Sequence, residues 1–133
     1  MGSTTLDIAV FKPNGTVGIG TDDPKGYRLA VNGDAIFTKV KVKQYTAWPD
    51  YVFASTYQLP SLSEVAAFIK EYKHLPNIPS AADVAKEDGI DLGEMNSKLL
   101  EKIEELTLYA IEADKKNKEL EARLRKLEER LLP

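Results

Sequence analysis

The polar and apolar positions of this 133-residue chain change period along its length. From Leu92 onward, steps alternating between four and three residues pick out Asn96, Leu99, Ile103, Leu106, Ala110, Ala113, Asn117, Leu120, Leu124, Leu127 and Leu131 without a slip. A lone amphipathic helix repeats every ~3.6 residues and a supercoiled seam every ~3.5, so this unbroken stripe predicts a coiled coil. The step order places Ile103, Ala110, Asn117, Leu124 and Leu131 at a positions and Leu99, Leu106, Ala113, Leu120 and Leu127 at d. A helix of this length spans about 60 Å at ~1.5 Å per residue. It cannot hide its stripe against so small a body, so it requires partner chains. In a parallel pair a g residue faces the e residue five places later on its neighbour, which joins Lys116 to Glu121 and Arg123 to Glu128 with opposite signs.

Ahead of that helix the period is two. Residues 8–11, 16–20, 28–31 and 35–42 are short β-branched runs separated by Asn14-Gly15, Asp23-Pro24 and Asn32-Gly33. Asn-Gly suits the type I′ turn, whose two central residues need positive φ. The pattern predicts four strands in a meander. Gly18 and Gly20 are unusual within a strand and suggest close backbone approach, as between chains crowded at an axis. Lys39, Lys41 and Lys43 alternate with Val40 and Val42, which places three ammonium groups on one strand face.

Between the two regions, Tyr45, Trp48, Tyr51, Phe53 and Tyr57 fall within 13 positions. Ser61 and Glu64 have capping-box spacing, and Leu62, Val65, Phe68, Ile69 and Tyr72 form an apolar helix face running to Lys73. Pro76 and Pro79 stop that helix. Ser80 and Asp83 open a second, closed by Gly89, and Asp91 with Glu94 repeat the capping spacing before the long stripe. The chain therefore reads as α+β, with Met1-Gly2-Ser3 (1–3) an expression scar, a β-segment at 4–43, a small α/β module at 44–91 and the coiled-coil helix at 92–133.

Composition narrows the chemistry. A formal charge of −3 argues against a basic nucleic-acid or anionic-membrane footprint, and no apolar run approaches the ~20 residues of a membrane helix. With no cysteine there is neither a disulfide framework nor a thiolate metal site. His74 is the single histidine and is expected to meet free carbonyls at a helix C-terminus. The serines lack a nucleophile elbow, and residues 88–91 lack calcium-loop spacing. We expect no enzyme activity, no cofactor and no metal.

Two residue patterns resemble known families. Asn14-Gly15-Thr16-Val17-Gly18-Ile19-Gly20-Thr21, followed by Pro24 and Leu29-Ala30-Val31-Asn32-Gly33, resembles the repeat of tail-fibre-like proteins from phages and bacteria, notably Bacteroidetes. Trp48-Pro49-Asp50-Tyr51-Val52-Phe53, residues 74–80, Leu92-Gly93-Glu94-Met95-Asn96 and residues 102–109 resemble the landmarks of their C-terminal module. The layout is similar to the endosialidase-type intramolecular chaperones that trimerise fibres. In active members a Ser-Lys pair cuts the chain; at the matching places this chain has Pro49 and Ala54, which supply neither hydroxyl nor amine.

The resemblance implies a structural homotrimer on a virion tail fibre or cell surface, with a cell-surface glycan or protein receptor as an alternative partner. Ile103 at a with Leu106 at d, and Asn117 at a, suit two strands. Leucine at both a and d near the end, and Arg123-Leu124 with Leu127-Glu128, resemble short trimeric coiled coils. We take three. Trp48, Tyr51 and Tyr57 are the candidate receptor contacts, weighed against a role for these rings in the module's own packing.

Overall fold

The computed structural model describes residues 9–43 and 48–131. Met1-Gly2-Ser3, the start of the first β run, Tyr45 and the last two residues lie outside the described residues. The chain divides into two units, Met1–Lys41 and Val42–Pro133.

The first unit holds three strands, β1 (Ala9–Phe11), β2 (Val17–Ile19) and β3 (Leu29–Val31), in that order across one sheet. β1 and β2 form the expected antiparallel hairpin, but not through a type I′ turn: of Asn14 and Gly15 only Gly15 has positive φ, and its amide closes on the Lys12 carbonyl at 3.0 Å with Pro13 and Asn14 between. Asn14 accepts from the Thr16 amide at 3.2 Å and its hydroxyl at 2.8 Å, while Gly15 takes φ +79°. The remainder departs from the meander. β3 runs parallel to β2, because the chain bends at left-handed Gly20 and reverses again through a turn at Pro24–Tyr27, with Lys25 and Gly26 both at positive φ. Two changes of direction restore the original heading.

Asn32-Gly33 does not reverse the chain. The Asn32 amide donates to the Ile19 carbonyl at 2.9 Å and its side chain to Gly20 at 3.2 Å, which prolongs the contact with β2. Residues 34–42 then join no ladder, so the fourth predicted strand is absent within the chain. Gly18 is also explained locally. A Cβ there would stand 2.1 Å from the Thr21 carbonyl oxygen, so the close approach is to the chain's own loop.

The second unit begins with a 3-10 helix, Pro49–Phe53, followed by α1 (Leu62–Tyr72), α2 (Ala81–Lys86) and α3 (Leu92–Leu131). Both predicted capping boxes are formed: Ser61 with Glu64, and Ser80 with Asp83. The Asp91 carboxylate accepts from the Glu94 amide at 2.8 Å, so α3 opens where the spacing placed it. Lys73 closes α1 in the left-handed region, its amide on the Ile69 carbonyl and its ammonium on the Lys70 carbonyl. His74 therefore does not serve that helix end. Its Nδ1 lies 3.0 Å from the Leu75 oxygen and its ring stands edge-on to Phe68, 5.4 Å between centroids. At α2 the left-handed residue is Asp88, and Gly89 donates to the Val84 carbonyl, so the predicted glycine stop sits one place beyond the turn it completes.

Burial is scarce. Among the described residues, prolines and glycines aside, Val52 is the one fully buried apolar side chain. The 3-10 helix packs on α3, whereas α1 brings no Cα within 8 Å of another helix or strand and leaves Leu62, Ile69 and Tyr72 open. No helix among the described residues is long and apolar enough to cross a membrane. The Gly18 contact predicts that Gly18→Ala abolishes amide-exchange protection in β2 and β3 while α3 keeps its helical signal. Retained β2 protection would show that the loop at Thr21 yields.

Candidate self-association surface on helix α3

At about 100° per residue, Leu99, Ile103, Leu106 and Ala110 share one side of α3, and Glu101, Glu105 and Leu108 lie opposite. The structure treats these sides in the reverse of their usual roles. Glu101, Lys102, Glu104 and Glu105 are buried at 6–8% exposure, covered by the module of their own chain. Leu99, Ile103, Leu106, Leu120, Leu124, Leu127 and Leu131 are 47–82% exposed. Ala110, Ala113 and Asn117 are exposed with them.

Hydrogen bonds explain how a charged side is tolerated inside. The Tyr51 hydroxyl donates to Glu101, whose second oxygen accepts from Asn77 at 3.0 Å. Tyr57 donates to Glu105, and Tyr109, from α3 itself, donates back to the Pro60 carbonyl at 2.5 Å. Lys102 lies between the two carboxylates, 3.0 Å from Glu101 and 2.7 Å from Glu105. Burial alone would raise the Glu101 carboxyl; the bonds from Tyr51, Asn77 and Lys102, with the Lys102 charge, outweigh it and hold the group below the usual carboxylate range. The Glu101 bond and then burial push Tyr51 up to about 12. Burial, followed by the Glu105 bond, pushes Tyr57 up as well. Burial opposes the charge on Lys102, but its two carboxylate partners raise it overall. Glu104 keeps an unpartnered, buried Oε2, and burial with the charges of Asp50 and Glu101 pushes its carboxyl up.

Three contacts from the connector therefore lock α3 about its own axis, with its apolar stripe turned outward. Beyond Tyr109 no described residue covers the helix, and residues 110–131 are all exposed. That stretch reaches about 33 Å at ~1.5 Å per residue. In isolation so polar-sided a helix is marginal.

The flanks of the stripe are sorted by charge. Asp114, Glu121 and Glu128 occupy successive e positions, and Lys116, Arg123 and Arg130 successive g positions. Within the chain Glu121 reaches Arg125 at 4.0 Å and Asp114 reaches Lys118 at 2.6 Å; among the described residues Lys116, Arg123 and Glu128 have no ion pair. The structure thus leaves the sequence-predicted stripe open along one line and leaves three of the four predicted pairing charges without a partner in their own chain.

Of the aromatic candidates, Trp48 is 55% exposed and Tyr51 43%, and the hydroxyls of Tyr51 and Tyr57 are committed to α3. Their rings lie 5.9 Å apart, tilted by 43°. The buried charges Glu101, Lys102 and Glu105 were not picked out from the sequence. They sit at f, g and c positions, where charge ordinarily means solvent, and the one signal for them is the cluster of tyrosines upstream. Comparison with family models, curated proteins and solved structures finds no match to this chain.

Two outcomes follow from the lock. Glu101→Ala strands Tyr51 and Asn77, leaves Lys102 with Glu105 alone, and should cost about 3 kcal/mol, measured by urea denaturation at fixed protein concentration. The stabilisation from Glu101 is present above the ordinary carboxylate value of about 4.3 and falls as pH drops through the depressed folded value. That from Tyr51 is present below about 10 and is lost as pH rises through about 12. Against the parent, Glu101→Gln should flatten the acid limb of the stability profile and Tyr51→Phe the alkaline limb.

Proposed function

We propose that this chain is a structural, non-catalytic trimerisation and folding module of a phage or tail-like fibre protein, with a homotrimeric β-segment, a small α/β module and a parallel coiled coil. The observation that carries this reading is the outward apolar stripe of α3, open over its whole length while Glu101, Lys102, Glu104 and Glu105 of the same helix are buried. In this reading three copies close their Leu99, Ile103, Leu106, Leu120, Leu124 and Leu127 layers against one another. Asn117 and the charged flanks fix alignment.

Charge sorting supports the parallel arrangement. In an antiparallel pair e positions face e and g face g, so within the stretch from Asp114 to Arg130 acid would meet acid and base would meet base. The parallel pair brings Lys116 to Glu121 and Arg123 to Glu128. Once joined, three chains hold their N-terminal segments at high effective concentration, which favours slow β pairing. The alternative reading, a receptor-binding tip, is favoured by the exposed Trp48 ring alone.

Light scattering should give three times the chain mass at micromolar concentration. Leu120→Asp with Leu124→Asp should weaken assembly by more than about a thousandfold, or ~4 kcal/mol. Arg123→Glu should weaken it about tenfold, and adding Glu128→Arg should restore it. A single-copy mass for the parent, or no restoration by the second swap, would contradict the parallel seam.

A further inference from the structure

We propose that residues 36–42 form a strand that adds to the open β1 edge of a second copy's sheet. This rests on the assembly reading above but uses a separate surface, in the β-segment.

The register of the three strands sends Ala9, Phe11, Val17, Ile19, Leu29 and Val31 to one face and Val10, Gly18 and Ala30 to the other. The first face is wholly apolar and, apart from half-buried Val17, exposed: Phe11 is 79% exposed and Leu29 55%. Three strands of three residues cannot stand alone with such a face in water. The chain also carries an orphan strand sequence. Ile36, Thr38, Val40 and Val42 alternate with Phe37, Lys39, Lys41 and Lys43, so an extended segment here has one largely apolar side and one mostly cationic side. The structure leaves it outside any ladder, with Ile36 98% exposed. Its own sheet does not receive it, since Asn32 is held by Ile19 and Gly20 and the chain carries on past Gly33 without reversing.

Two incomplete halves thus match. Added beside β1, residues 36–42 continue the apolar face with Ile36, Val40 and Val42 next to Phe11, and turn their lysines to the small-residue side. The edge has the backbone groups to receive it. Lys12 and Thr16 are a hydrogen-bonded pair, so by alternation Val10 faces β2 and Phe11 presents its N–H and C=O outward. The lysines keep the joined edge from recruiting further strands. Donor segment and acceptor edge are different surfaces of one chain, so the contact is head-to-tail and closes into a ring under the same rotation that relates parallel helices.

The test is amide exchange on the assembled full chain, with the Leu120→Asp/Leu124→Asp chain as the single-copy control. Phe11 and residues 36–42 should gain at least about a hundredfold protection on assembly. Val40→Pro, at a place unpaired in one copy, should remove that protection while the trimer mass persists. In a mixture of isotope-labelled and unlabelled protein, Val40 methyls of labelled copies should contact Phe11 rings of unlabelled ones. Fast exchange at 36–42 in material of trimer mass would overturn strand addition and leave the helix reading standing. Equal protection in the single-copy control would assign the strand to its own chain and overturn it too. Protection without the Val40–Phe11 contact would overturn the β1 edge, and a parent that is a single copy throughout would defeat both readings.

Discussion

A shortage of buried apolar surface governs this molecule. Among the described residues, prolines aside, Val52 is the one fully buried apolar side chain and contributes about 1.5–3 kcal/mol, while each ordered residue loses ~1–2 kcal/mol of backbone freedom. Local devices cannot close that difference, because a capping box supplies about 1 kcal/mol. The chain nevertheless has ample apolar material: the α3 stripe, the Leu62–Ile69–Tyr72 side of α1 and the face of the β-sheet. All of it points outward. In the assembly proposed above, this surface forms a core distributed between copies rather than within one.

The treatment of α3 shows how the two kinds of surface are kept apart. A helix offering leucines on one side and charges on the other would ordinarily lay the leucines on its own module. Here Tyr51, Tyr57, Asn77 and the Pro60 carbonyl engage the charged side and Tyr109, and Lys102 neutralises two carboxylates in the space between. Polar contacts are directional where apolar ones are not. They set the rotation of the helix at little apolar cost, and the stripe is left for other uses.

Much of the local structure was legible in the sequence because it depends on neighbours a few residues apart. Ser61 with Glu64, Ser80 with Asp83 and Asp91 before α3 took the predicted form, and Asn14-Gly15 made its hairpin, though with Gly15 alone of the two at positive φ. The errors came where distant partners decide. Asn32-Gly33 has the composition of a hairpin turn, yet hydrogen bonds to Ile19 and Gly20 hold Asn32 in line and no fourth strand folds back, while the bend at Gly20 and the Pro24–Tyr27 turn make β2 and β3 a parallel pair. His74 lost the helix end to Lys73, which adopts left-handed geometry despite its side chain. The buried Glu101, Lys102 and Glu105 follow the heptad pattern of solvated charges, and nothing in their spacing distinguishes them from Glu119 or Lys126 further along.

The bare outer length of α3 carries a last implication. From Ala110 to Leu131 the helix is exposed and bonds to no described residue outside itself, so in the proposed assembly that stretch is constrained by phase and by its flanking charges alone. Evolution is free to exchange it for any other run of heptads that enters at the same angle. In the proposed assembly, the pairing preference of the copies can then drift, or be re-addressed, while the tyrosine-braced portion nearer the module stays as it is.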